Sequence, residues 1–291
     1  MQDDSSLPDV MLTDDSLSRR DVMMLSAAAV AAASAWPLEA AAMAEVTERA
    51  VDIKTPDGTC DAVLVSPAKA KSPAVILYPD ALGLRPVKVA MAKRLAAQGY
   101  AVLVINPFYR ARRAPVFPPS FDYANPADRA ELAKLREAHT HDALTRDAHA
   151  LVAFLDAQPE VDPKKKIGAV GFCMGGSMTI RAAAAEPARV GASASFHGGQ
   201  LVTDDPNSPH KLIPATQASY HIAIAADDDV KEPNSKTVLA DTLKAAKRPN
   251  TLEVYPGTHH GWMVPDSKIY DQAQAERGWV AMTKLYKQAL V

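Results

Sequence analysis

The sequence predicts an α/β fold with a single doubly wound, mostly parallel sheet of about eight strands, in one domain over residues 45–291. Two observations point there. Short apolar runs alternate with helix-like runs after an opening strand pair, the order that βαβ units produce. Midway along, the apolar run Lys166-Ile167-Gly168-Ala169-Val170 leads into Gly171-Phe172-Cys173-Met174-Gly175-Gly176 and then into the Ala-rich stretch Ser177–Glu186. A strand, a glycine-rich turn and a helix thus follow one another directly.

In chain order, strands are expected at Val51–Lys54, Ala62–Val65, Ala74–Tyr78, Ala101–Ile105, Ile167–Val170, Gly191–Phe196, Tyr220–Ala225 and Leu252–Tyr255. Helices are expected at Val87–Gln98, Ala143–Ala157, Ser177–Ala185, Ser235–Ala246 and Asp271–Leu290. Each helical run has one apolar face, so most of the 48% hydrophobic content goes to a core. The segment 114–125, rich in proline and aromatics (Phe117, Phe121, Tyr123), reads as a loop that walls a pocket or covers a sheet edge. Residues 128–146 read as a polar helical region. Its His139 and His141 stand two apart and face away from each other, which argues against a metal site.

The turn at 171–176 puts a thiol where the nucleophile-elbow pattern G-x-S-x-G has a serine. So sharp a turn forces its central residue into a strained backbone conformation and brings chain segments close, which is why glycines flank it. The helix that follows aims its N-terminus at the sulfur and favours the thiolate. Cys173 is therefore the candidate nucleophile; Ser177 lies in the helix, outside the elbow.

A nucleophile needs a base, and the base an orienting acid; on such a scaffold the chain order is nucleophile, acid, histidine. Asp227-Asp228-Asp229 follows the strand Tyr220–Ala225, at the C-terminal end where open α/β sheets carry their sites, and Asp228 is the choice among the three. Pro256-Gly257-Thr258-His259-His260-Gly261-Trp262 follows the next strand and offers two histidines for the base. The oxyanion donors on this scaffold are the backbone N–H of the residue after the nucleophile, Met174, and one from the loop after an early strand, Ala81 or Leu82.

With Tyr78-Pro79-Asp80-Ala81-Leu82-Gly83-Leu84-Arg85-Pro86, Asn106-Pro107-Phe108-Tyr109-Arg110, the elbow, Ala225-Ala226-Asp227-Asp228 and His260-Gly261-Trp262, residues 50–290 resemble the dienelactone hydrolases, the cysteine branch of the α/β-hydrolases. The resemblance implies an α/β-hydrolase fold and a carboxylic-ester hydrolase of carboxymethylenebutenolidase type. It further implies action on a small ester or lactone, with no cofactor and no metal expected. The family's A-x-x-D and H-G-[FW] patterns select Asp228 as acid and His260 as base. An acidic residue in the position of Asp80 helps activate the nucleophile in the family; it is usually glutamate, and the aspartate here is one methylene shorter. Arg110 is the implied partner of a substrate carboxylate, although Val264 stands where a second arginine often occurs. Trp262 is expected to line the acyl pocket, with core packing as an equal alternative, and Phe196-His197-Gly198-Gly199, at a strand's C-terminal end, reads as a structural turn, with bordering the pocket as the alternative. A different class of function, a non-catalytic exported binding protein on the same fold, is the alternative.

The N-terminus carries Ser18-Arg19-Arg20-Asp21, an Ala-weighted apolar stretch and Ala42-Met43-Ala44, which resembles a twin-arginine export signal cleaved after Ala44. The expectation is export through the twin-arginine machinery to the periplasm, with no stable membrane anchor, because the apolar run falls short of the roughly 20 residues a span needs. The full chain has net charge -2; residues 1–44 hold seven acids and two arginines, so the remainder is near neutral at about +3, without the basic stripe of a nucleic-acid binder. Of the two cysteines, Cys173 must stay reduced to act, and Cys60 is expected to pack as a small hydrophobe.

Overall fold

The computed structural model describes residues 45–291, so the export signal expected over 1–44 lies outside the described residues. Eight strands form one sheet in the order β1-β2-β4-β3-β5-β6-β7-β8. They are β1 (Val46–Thr55), β2 (Gly58–Pro67), β3 (Ala74–Tyr78), β4 (Ala101–Ile105), β5 (Ile167–Phe172), β6 (Val190–Phe196), β7 (Ser219–Ala225) and β8 (Asn250–Tyr255). β2 runs antiparallel to both of its neighbours, and the pairings from β4 to β8 are parallel. Every residue of β3, β4 and β5 is buried, as expected of parallel strands covered by helices on both faces.

The helices are α1 (Pro86–Ala96), α2 (Pro126–Arg136), α3 (His141–Asp156), α4 (Met174–Ala185), α5 (Pro209–Leu212), α6 (Ala226–Lys231), α7 (Ser235–Ala245) and α8 (Gln272–Ala289). Local chemistry sets several boundaries. Pro86 opens α1 and Pro126 opens α2, where a missing N–H costs nothing. Asn125, Thr140 and Asp271 cap α2, α3 and α8 by accepting hydrogen bonds from first-turn N–H groups. The last helix is tied to the first by Arg94, which bonds Glu276 at 2.7 Å and lies 4.2 Å over the Trp279 ring. It is tied to the sheet by the Tyr286 hydroxyl, which donates to Ala169 O at 3.0 Å.

Two expectations change. The polar region 128–146 is two helices: α2 ends at Arg136, and Thr140 starts α3 afresh. Its two histidines accordingly take separate partners, Pro107 O for His139 and the Arg181 guanidinium for His141. The opening strands are also longer than their apolar periodicity suggested, because most of β1 faces solvent and only its hairpin pairing with β2 reveals it.

The chain leaves β3 toward β4 on one side and returns to β5 on the other, so a crevice opens beyond the carboxyl ends of β3 and β5. Asp80, Cys173, His197, Asp228 and His260 all follow the ends of β3, β5, β6, β7 and β8, on that same edge.

Candidate active site

Cys173 sits between β5 and α4 at φ 53°, ψ −116°, left-handed backbone that a non-glycine residue occupies only when its surroundings enforce it. The enforcement is visible. A Cβ on Gly171 would lie 2.0 Å from Gly175 O, and one on Gly175 would lie 2.2 Å from Tyr78 O, so only glycine lets strand, turn and helix approach this closely. The Cys173 N–H donates to Phe196 O and to His197 Nδ1, both at 3.1 Å, and its carbonyl accepts from Gly176 N and Gly199 N. The thiol is half-buried, and Cys173 and Cys60 are both free. Cys60 is sealed in the core, where burial, with a further push from Asp147, raises its thiol to about 12.

The three carboxylates after β7 have three different partners. Asp228 Oδ2 lies 2.7 Å from His260 Nδ1. Asp227 accepts from the His260 backbone N–H at 2.9 Å and pairs with Lys231 at 3.0 Å, which fixes the histidine's main chain. Asp229 pairs with Lys236 at 2.7 Å. Thr258 ties the two loops together, its hydroxyl accepting from Ala226 N and its carbonyl from Asp227 N. His259 points outward, its side chain 67% exposed against 32% for His260, and lies 3.6 Å from Asp227. Burial pulls the His260 pKa down, but the hydrogen bonds to Asp228 and Cys173 outweigh it and raise it to about 10.

Around the crevice the loop after β3 is set by Asp80. Its Oδ1 accepts from Leu82 N at 3.0 Å and from Arg85 Nη1 at 2.7 Å, and its Oδ2 from Arg85 Nη2 at 2.9 Å, with Lys88 Nζ 2.8 Å away. Burial opposes ionisation of this carboxyl, yet Lys88 and Arg85 hold it well below the usual carboxylate range. Its two oxygens are thus engaged by cations and a backbone donor, and no hydrogen bond joins Asp80 to the thiol among the described residues. Leu82 N–H is spent on the Asp80 carboxylate and Gly83 N–H on the Asp80 carbonyl, so of these three neighbouring residues it is Ala81 whose N–H is left without a hydrogen bond among the described residues.

Two residues expected at the substrate lie elsewhere. Arg110 is saturated by protein: it bonds Asp57 at 2.7 Å, Asp147 at 2.8 and 2.9 Å and Ala143 O at 3.2 Å, and stacks over Tyr109. It also borders a cavity of about 410 Å³ lined by Arg112, Glu131 and Lys134, which includes none of Cys173, Asp228 and His260. Trp262 is fully buried, stacked on Tyr255 and edge-on to Phe196, because Gly261 at φ 109° turns the chain inward after His260. It packs behind the site and offers no surface to a ligand. In the aromatic loop 114–125, Phe117 packs edge-on to Phe108 and Phe121 packs against Phe117, while Tyr123 is exposed. Desolvation, followed by the influence of Cys173 and Asp80, raises the Tyr123 phenol above its ordinary range. His197, read from sequence as part of a turn that could border the pocket, makes a contact with Cys173 that the sequence did not show. It is 1% exposed, holds the Cys173 N–H, and its ring meets His260 edge-on at 5.1 Å between centroids.

An elbow turn after β5 of a mostly parallel eight-stranded sheet, with Asp228 after β7 and His260 after β8, has the architecture of an α/β-hydrolase. The chain belongs to the dienelactone hydrolase family, whose family model matches residues 60–290. It is 30% identical over 219 residues to a carboxymethylenebutenolidase of Rhodococcus opacus, covering 74% of this chain and 81% of that protein. It is also 30% identical over 135 residues to a carboxymethylenebutenolidase of Pseudomonas putida, covering 46% of this chain and 55% of that one. Among solved structures it resembles a dienelactone-hydrolase-like promiscuous phosphotriesterase from metagenomic libraries, with TM-score 0.70, 25% identity, and coverage of 84% of this chain and 99% of that one. The dienelactone hydrolase of Anabaena variabilis shares the fold, with TM-score 0.61 at 18% identity over 84% of this chain and 99% of that one. Family membership supports hydrolase activity on esters or lactones.

Proposed function

We propose that the protein hydrolyses a small ester or lactone through a Cys173–His260–Asp228 triad and a thioester acyl-enzyme. The observation that carries the reading is the 2.7 Å contact of His260 Nδ1 with Asp228, beside a cysteine fixed at an elbow with φ 53°. The Cys173 thiolate adds to the carbonyl carbon; the C–S bond forms as the C=O π pair moves to oxygen. The backbone N–H groups of Met174, first residue of α4, and Ala81 hold that oxyanion, a role worth about 10²–10³ in rate per donor. Collapse of the adduct breaks the C–O bond, and the protonated His260 gives its Nε2 proton to the departing alkoxide. The now neutral imidazole takes a proton from water, the hydroxide attacks the thioester, and the thiolate leaves with the acid product released. Asp228 keeps Nδ1 protonated throughout.

Asp80 enters this scheme through the loop it orders around Ala81, since its carboxylate is held by Arg85 and Lys88. With Arg110 committed to Asp57 and Asp147, and with buried Val264 in place of a second arginine, we propose substrates that need no carboxylate anchor at these positions. The test compares hydrolysis of a neutral aryl ester and of a dienelactone by residues 45–291 and by its Cys173→Ala variant. Activity in the parent on the neutral ester, absent from the variant, is the expected outcome; equal rates in the two proteins contradict the mechanism. Residues 1–44 are proposed as a twin-arginine export leader, which places the mature enzyme in the periplasm when the full chain is expressed and fractionated.

A further inference from the structure

His197 contacts two members of the proposed triad. Its Nδ1 accepts the Cys173 backbone N–H at 3.1 Å, and its ring stands edge-on to the His260 ring, 67° between planes. We propose that His197 is a positioning residue for the hydrolysis: it locks the nucleophile's strained backbone and sets where the base's imidazole lies relative to it. The inference rests on the Cys173 reading above.

The local geometry is built for this. His197 itself has φ 39°, left-handed backbone in which histidine and asparagine are among the tolerated residues. Its own N–H donates to Ala223 O at 2.8 Å, so β7 anchors it. The ring is enclosed by Phe172, Trp262 and His260. Behind Phe172 stands Lys88, its Nζ 4.4 Å from the Phe172 centroid and 2.8 Å from Asp80. The hydrogen bond fixes the tautomer: Nδ1 accepts, so the proton of a neutral ring is on Nε2, which is buried without a hydrogen-bond partner among the described residues. Neutrality matters, because an imidazolium would lose the acceptor and place a second cation against His260. Burial, then His260 and Lys88, hold the His197 pKa well below its ordinary value against the opposing pull of Asp80. The ring is thus a fixed acceptor and does not compete as a base.

The bond helps to hold a non-glycine residue in sparsely populated backbone. A nucleophile displaced by about 1 Å can cost about 10²-fold in rate. Three variants separate the contributions. His197→Asn places an acceptor where Nδ1 was and suits the left-handed backbone. His197→Leu has the same shape without the acceptor. His197→Phe keeps a ring against His260 but accepts nothing.

The experiment measures, for each variant with an intact thermal transition, the rate of Cys173 alkylation by iodoacetamide at pH 7 and kcat and KM on a neutral aryl ester. The expected result is that Asn stays within about tenfold of the parent in both rates, while Leu and Phe fall by about 10–100-fold in kcat with KM little changed and alkylate more slowly. Equal behaviour of Asn, Leu and Phe overturns the proposal, as does a loss confined to KM. The alkylation readout needs no substrate, so a failure of the hydrolase reading, which removes turnover from the parent as well, is distinguishable from a failure of the His197 role.

Discussion

At the scale of single residues, the pairing of Asp228 with His260 makes two demands that can be measured. Asp228→Asn removes the partner that holds Nδ1 protonated and should lower kcat by about 10³–10⁴ while leaving the fold intact. The same pair links stability to pH. The folded-state pKa of His260 is raised from 6.5 to about 10, so its stabilising contribution is complete below about pH 6.5 and is lost as pH climbs through about 10. Unfolding by urea should therefore show falling stability between these limits in the parent and a flatter profile in Asp228→Asn. Cys173, Asp228 and His260 were legible because each lies in a short motif whose chemistry is local to it. His197 was not, since its role exists only once a left-handed turn carries Nδ1 to the Cys173 N–H, 24 residues away in sequence. Trp262 was misplaced for a related reason: position beside the base says nothing about which way Gly261 turns the chain.

At the scale of elements, the elbow is a close approach of three backbones, and its tolerance for side chains is nil on the inner side. Gly175→Ala would drive a Cβ to 2.2 Å from Tyr78 O and 2.6 Å from Pro79 O, both main-chain atoms that cannot swing away. The loss should be about 3 kcal/mol or more of unfolding free energy, with slowed alkylation of Cys173, measured by denaturant titration and mass spectrometry. Strand and helix order were readable from apolar runs because interior strands such as β3 and β4 are buried along their whole length. The solvent-facing part of β1, the break between α2 and α3, and the short helix α6 that carries the three aspartates have no such pattern. Their bounds come from pairing and capping, which are tertiary facts.

At the scale of the whole molecule, Arg110 is a clasp. It joins Asp57, in the β1–β2 turn, to Asp147 on α3, and the Tyr109 hydroxyl donates to Asp147 while pairing with Thr55. The partners lie 53 and 37 residues from the arginine, which is why sequence assigned it to the substrate instead. Arg110→Ala removes the cation that Asp147 pairs with among the described residues, while Asp57 keeps Arg146 at 2.8 Å. It should cost roughly 1–3 kcal/mol of stability, the cluster being partly solvated, with KM for a neutral ester unchanged. A raised KM with stability intact would return the residue to the binding site.

The central claim is that the acyl group passes through the Cys173 sulfur. Acid quenching of residues 45–291 during turnover of an aryl ester, followed by peptide mass analysis, reads this directly. The expected result is a thioester whose mass equals that of the substrate acyl group, on the peptide containing Cys173 and absent from Cys173→Ala. Steady turnover with no acyl group on that peptide, or with one on another residue, would contradict it.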